Sequence, residues 1–116
     1  MDPWLIAVAA VGVGLVVLRR LGGGSRVSSD VVLQKIKAGA RIVDVRSPEE
    51  FGAGAYPGAV NIPLAVLGRR LGEIPKNRPV VLYCASGFRS ATAARLLAQS
   101  GFTDVVNAGG LHQMPR

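Results

Sequence analysis

The chain has 116 residues, a formal net charge of +7 and a single cysteine, Cys84. One cysteine excludes an intramolecular disulfide and, with one histidine (His112) beside it, a structural zinc site, which needs about four ligands. The pI near 10.8 invites a nucleic-acid reading, but Lys and Arg are scattered, aromatics make up 5% and only Arg19-Arg20 and Arg69-Arg70 are adjacent, so no nucleic-acid partner is expected.

The mean hydropathy of +0.34 is concentrated at the start. Trp4 to Leu18 carries no charge and is apolar on every face, which excludes a surface-lying amphipathic helix. As a helix it spans roughly 22 Å, short of the ~30 Å hydrocarbon core, and Pro3, Leu21 and the snorkelling Arg19 and Arg20 close the gap. A cleaved signal would carry its basic residues before the apolar run; here Asp2 precedes it and Arg19, Arg20 and Arg26 follow. The expectation is one N-terminal transmembrane helix, with residues 4–18 in the lipid bilayer of the inner (cytoplasmic) membrane. The basic flank places the rest in the cytoplasm, where a working thiol stays reduced. Residues 1–21 form this anchor, 22–26 a Gly-rich linker (Gly22-Gly23-Gly24-Ser25) and 27–116 one domain. The anchor and linker carry +2 of the charge and the domain +5.

Along the domain, Ser29 is the expected cap of a helix over Asp30–Ala38 that Gly39 stops. Ile42–Val45 reads as a strand. Ser47 and Pro48, followed by Glu49 and Glu50, open a short helix. Ala59–Ile62 is a strand stopped by Pro63, and Leu64–Leu71 a helix. Pro79–Tyr83 is a continuous apolar run, the pattern of a strand buried on both faces. Arg89–Ser100 is an Ala- and Leu-rich helix capped by Gly101, and Asp104–Asn107 is the last strand. This alternation predicts an α/β fold with a mostly parallel central sheet flanked by helices.

In a parallel sheet, chemistry gathers beyond the carboxyl ends of the strands. Cys84 sits at such an end, directly before Ala85-Ser86-Gly87-Phe88-Arg89-Ser90 and a helix start. Backbone N–H groups of such a loop form an anion cradle. The positive helix end, with Arg89 adjacent, lowers a thiol pKa. Gly87 permits the cramped backbone that closing around the sulfur demands. The plainer alternative, a buried cysteine acting as a small hydrophobe, leaves the Gly, Arg and helix start unexplained.

These residues resemble the rhodanese-like domain family. Cys84 to Ser90 is similar to its Cys-x-x-Gly-x-Arg-Ser loop, Asp44-Val45-Arg46 to its Asp-Val-Arg signature, Gly58–Pro63 to its Gly-Ala-x-Asn-Ile-Pro segment and Asn107–Gly110 to its Gly-Gly turn. The nearest likeness is a small membrane-tethered single-domain rhodanese. The resemblance implies a thiosulfate sulfurtransferase with Cys84 as the nucleophile. Cys84 would take sulfane sulfur from thiosulfate or a persulfide donor, hold it as a persulfide, and yield it to a thiol, cyanide or a protein cysteine, with no metal and no cofactor. It further implies that the N–H groups from Ala85 to Ser90 stabilise the persulfide and that Arg89 holds the anionic donor. Four residues separate Cys84 from Arg89, the short form of the loop, whereas the related phosphatases carry one more. A rival of another class is a non-catalytic or redox-sensing interaction module on the same fold; an intact Cys and Arg favour the enzyme.

Other residues have two readings. Arg46 either adds to the positive field or, the favoured reading, pairs with Glu49 or Glu50. Asp44 is expected to brace loops. Ser86 and Ser90 either donate to the donor's oxygens or, for Ser90, simply belong to the first helical turn. Phe88 walls the pocket or covers core, and His112 is a solvated tail residue. Two departures stand out: Gly54-Ala55-Tyr56 replaces the family's Gly-His-Ile, and the tryptophan after Gly-Gly is absent, with the chain closing on Met114-Pro115-Arg116 so that the last helix is a stub.

Overall fold

The computed structural model describes residues 24–116. The expected membrane helix over 4–18 lies outside the described residues; among these, no helix is long and apolar enough to cross a membrane.

Helix α1 (Ser29–Lys37) is capped by Ser28, whose hydroxyl accepts from the Val31 N–H at 3.3 Å. The expected cap at Ser29 is therefore one residue late: Ser28 has the extended backbone a cap requires and Ser29 is already helical. Strand β1 (Arg41–Asp44) leads to α2 (Pro48–Ala53), and then to β2 (Val60–Asn61) and α3 (Leu64–Leu67). The helix expected over 64–71 breaks at Gly68, and a separate 3-10 turn covers Leu71–Glu73. Two glycines within five residues each cost about 1 kcal/mol of helix propensity, which four residues of helix do not offset. Strand β3 (Val80–Cys84) precedes α4 (Phe88–Gln99) and β4 (Val105–Gly110), and a 3-10 turn follows at Leu111–Gln113.

The four strands pair in parallel in the order β2-β1-β3-β4. All five residues of the central strand β3 are buried, as its unbroken apolar run demands. Side chains alternate across a strand. Val80, Leu82 and Cys84 thus join Val43, Leu67 and Leu97 in the core beneath α3 and α4, while Val81 and Tyr83 join Val32, Ile42 and Met114 beneath α1. This period of two is what sends the Cys84 side chain toward the start of α4.

Strand β4 runs three residues past the expected end at Asn107. Leu82 pairs with Asn107 but Tyr83 with Gly109, so Ala108 is an extra residue, a bulge that Gly109 accommodates at φ +90°. The outer edge of β4 is covered. The Val27 N–H donates to the Asn107 carbonyl at 2.9 Å, Arg26 bridges Asn107 in parallel, and Asn107 Nδ2 donates to the Gly24 carbonyl at 2.9 Å. From Gly24 onward, the stretch expected to be linker thus lies along the sheet edge. At the other end the tail folds back: Met114 is buried and Tyr56 Oη donates to the Pro115 carbonyl at 2.7 Å. His112 is exposed, as expected.

Candidate active site

Cys84 ends β3, and the chain turns at once through Ala85–Gly87 into α4. Gly87 adopts φ +104°, a left-handed conformation that a side chain would strain. That twist aims its N–H at the Cys84 sulfur, 2.9 Å away. Ser90, one turn into the helix, is fully buried, and its hydroxyl lies 3.3 Å from Sγ and within reach of the Gly87 and Gly109 carbonyls. The Gly109 carbonyl that Ser90 reaches directly follows the β4 bulge at Ala108. Ser90 is thus more than a first-turn residue: it connects the sulfur, the loop and the neighbouring strand.

The thiol is fully buried, which by itself would raise its pKa. The Ser90 hydroxyl and the N–H groups of Ser90, Gly87 and Ser86 favour the anion more strongly, and the net shift is downward. A native pKa below that of the unfolded thiol means that the bonds to the anion contribute fully above the unfolded pKa and are lost as pH falls through the lowered value. The thiolate's ultraviolet absorbance should therefore titrate with a midpoint below the ~8.5 of an ordinary thiol. Ser90→Ala should move that midpoint upward; a midpoint at or above the ordinary value in the wild type would refute the cradle.

The structure redistributes the expected charge pairs. Arg46 does not pair with Glu49 or Glu50. It folds onto Asp44, with Nε at 3.0 Å from both carboxylate oxygens and Nη2 at 2.7 Å from Oδ2. A second bond runs from Nη2 to the Gly54 carbonyl at 2.7 Å, and the guanidinium sits 5.7 Å from the Tyr83 ring centroid. The reason is the face of the sheet. Asp44 follows Ile42 by two residues and points, with Tyr83, to the α1 side, where Arg46 is buried beside it. Asn61 Nδ2 donates to the carbonyls of Asp44 and Arg46, both at 3.0 Å, and so fixes the turn after β1. Asp44 is the brace of this corner rather than a group at the sulfur.

Glu50 belongs to Arg89 instead. Nη1 meets Oε1 at 2.6 Å and Nη2 meets Oε2 at 3.0 Å, a two-pronged pair between the Cys84 loop and α2. Glu50 also closes a capping box with Ser47 at the start of α2. Arg89, and secondarily the Ser47 backbone, hold the Glu50 carboxyl down at about 2, so the pair stays charged across the neutral range. Arg89, expected at the donor, is therefore tied sideways in this structure. Glu50 is the site residue that sequence reasoning missed: read as a first-turn acid and a possible partner of Arg46, it meets Arg89, 39 residues away.

Phe88, expected either to wall the pocket or to cover core, is 82% exposed and covers none. It stands at the rim of the loop beside Ser86 and Gly87. The Ala85 carbonyl sits so close to Gly110 that a Cβ there would strike it, which ties the loop to the end of β4.

Comparison with known proteins agrees with this geometry. A family model described as "Rhodanese-like domain" matches residues 28–113. The uncharacterized protein YqhL of Bacillus subtilis is 40% identical over 88 residues, covering 73% of this chain and 70% of the relative. A sulfurtransferase of Allochromatium vinosum is 44% identical over 60% of this chain and 64% of its own length; the thiosulfate sulfurtransferase PspE of Escherichia coli is 42% identical over 60% and 68%. The matched region therefore spans about two thirds of these relatives. Among solved structures, the human single-domain sulfurtransferase TSTD1 aligns with a TM-score of 0.65 and 33% identity over 76% of this chain and 92% of that one. A rhodanese with anions from E. coli aligns with a TM-score of 0.61 and 39% identity, over 66% of this chain and 94% of that one.

Proposed function

This chain belongs to the rhodanese-like domain family, and from that premise we propose that it is a sulfurtransferase that carries sulfane sulfur on Cys84. The observation that carries this reading is the cradle: a buried Sγ with the Gly87 N–H at 2.9 Å, the Ser90 hydroxyl at 3.3 Å and a lowered pKa. The relatives named sulfurtransferase support it.

In the first step the Cys84 thiolate attacks the outer sulfur of thiosulfate. A Cys84–S bond forms, the donor's S–S bond breaks with its electron pair, and sulfite leaves. A persulfide donor would release a thiolate in the same way. The cradle donors then face a persulfide anion, whose charge they stabilise as they stabilised the thiolate. In the second step an acceptor thiolate attacks the outer sulfur and the electron pair returns to Sγ. This is covalent catalysis in two half-reactions. The donors that lower the thiol's pKa enlarge its thiolate fraction, which lessens the need for a separate base. The test is to incubate the full chain with thiosulfate or polysulfide and weigh it: a gain of one sulfur atom, mapped to the Cys84 peptide and removed by cyanide, is expected. Absence of the adduct with every sulfane donor would leave only the interaction-module reading.

We also infer that residues 4–18 anchor the protein in the inner membrane with the domain in the cytoplasm. The support is the charge-free run followed by Arg19, Arg20 and Arg26. A reporter fused after Arg116 should be active in the cytoplasm; activity of a periplasmic reporter at that position would reverse the orientation.

A further inference from the structure

Beside the Cys84 loop lies a cavity of about 300 Å³, near the small end of ligand-binding pockets. Ser86, Gly87 and Phe88 form one wall, and Arg26, Asn107 and Gln113 another. The loop that cradles Sγ is therefore also the wall of this pocket.

Two of its polar side chains, Arg26 and Gln113, carry donors without a partner among the described residues. Gln113 Oε1 accepts from the Gly110 N–H at 2.9 Å, which fixes the amide's orientation and leaves its NH2 without an acceptor among the described residues. Arg26 makes no ion pair among the described residues, while Asp44, Glu50, Glu73 and Asp104 are each tied to another cation. No Asp or Glu lines the pocket. Arg95, from α4, lies over Gly24 at the pocket's edge. Gly109 makes this convergence possible, since a Cβ there would collide with both Arg26 Cδ and Gln113 Oε1. Phe88 adds an exposed apolar lip.

We propose that this pocket is the acceptor subsite, and that the acceptor it selects is a small thiol carrying a carboxylate. The proposal rests on the sulfurtransfer reading and extends it. Arg26 and the Gln113 amide take the carboxylate, Phe88 covers the carbon stem, and the thiolate is presented to the outer sulfur of the Cys84 persulfide over the shared wall. The S–S bond to Sγ breaks, a new S–S bond forms on the acceptor, and no external oxidant or reductant is consumed. Arg89 is already occupied by Glu50, whereas Arg26 itself lines the pocket, so this carboxylate falls to Arg26.

The test uses the full chain, preloaded with sulfur so that loading drops out. Discharge is followed with 3-mercaptopropionate, 2-mercaptoethanol and cysteamine at equal thiolate concentration. The carboxylate thiol should react about fivefold faster than the neutral one, the scale of one partly exposed charge pair, and the cationic one slowest. Arg26→Glu should abolish or invert that order. Equal rates in the wild type, or an unchanged order in Arg26→Glu, would overturn the proposal. If no sulfur loads at all, the sulfurtransfer reading fails separately. The pocket is then judged by titrating 3-(methylthio)propionate and observing the Gln113 side-chain amide by NMR. A shift that disappears in Arg26→Glu supports a carboxylate site in the pocket, although not an acceptor role, and no shift in the wild type refutes both.

Discussion

Cys84→Ser is expected to abolish sulfur loading and to reduce sulfur transfer by at least about 10³-fold while the domain stays folded. A serine hydroxyl does not ionise at neutral pH and cannot form the persulfide, so both half-reactions lose their carrier rather than one contact. The fold tolerates the change. The sulfur's neighbours are a backbone N–H and a hydroxyl, and a serine oxygen can bond to the same groups. The loss of the larger atom from the core beneath α4 costs about 1–2 kcal/mol. The two readouts are sulfur gain by mass and the urea midpoint. Transfer surviving in the serine variant would remove Cys84 from the chemistry, and a collapsed urea midpoint would make the activity loss uninformative; Cys84→Ala, which introduces no hydroxyl, then decides.

Asp44→Ala is expected to be the most destabilising single change at the site. Asp44 is fully buried and Arg46 is 7% exposed, so truncation leaves a guanidinium buried with only the Gly54 carbonyl and the Tyr83 ring for company. It also removes the acceptor of the Arg46 backbone N–H, bonded at 2.9 Å. Breaking such a pair on one side costs about 3–5 kcal/mol. A domain of this size is stable by roughly 5–14 kcal/mol, so a large part of its margin would go. Urea denaturation measures this directly. Asp44→Ala with Arg46→Met, which removes both charges, should recover part of the loss. A loss below about 1 kcal/mol in the single variant would show that the pair braces nothing.

The Cys84 loop was legible because everything that makes it is contiguous. An unbroken apolar strand, a glycine at the one position with φ +104° in the loop and a helix start occur within eleven residues, Val80 to Ser90. Local periodicity also carried β1, α1 and α4. Where glycines compete with a short apolar pattern, as at Gly68 and Gly72, pattern reading overstated the helix. The bulge in β4 was hidden because the extra residue, Ala108, is recognisable only against the pairing of β3.

By itself, the sequence determined the class of fold, the candidate nucleophile and its loop. Strand period, helix capping and the φ a glycine can adopt are properties of neighbouring residues. Only the tertiary structure decided the partners. Arg46 had three acids within reach along the chain, and the α1 face of the sheet assigned it Asp44; Glu50 went to Arg89 across 39 positions. Charge attracts without regard to sequence distance, and which charges meet is settled by the sheet face and the helix that carry them. The same holds for Arg26. In the sequence it reads as part of a linker; in the fold, hydrogen bonds to Asn107 set it beside Gly109 and the wall of the Cys84 loop.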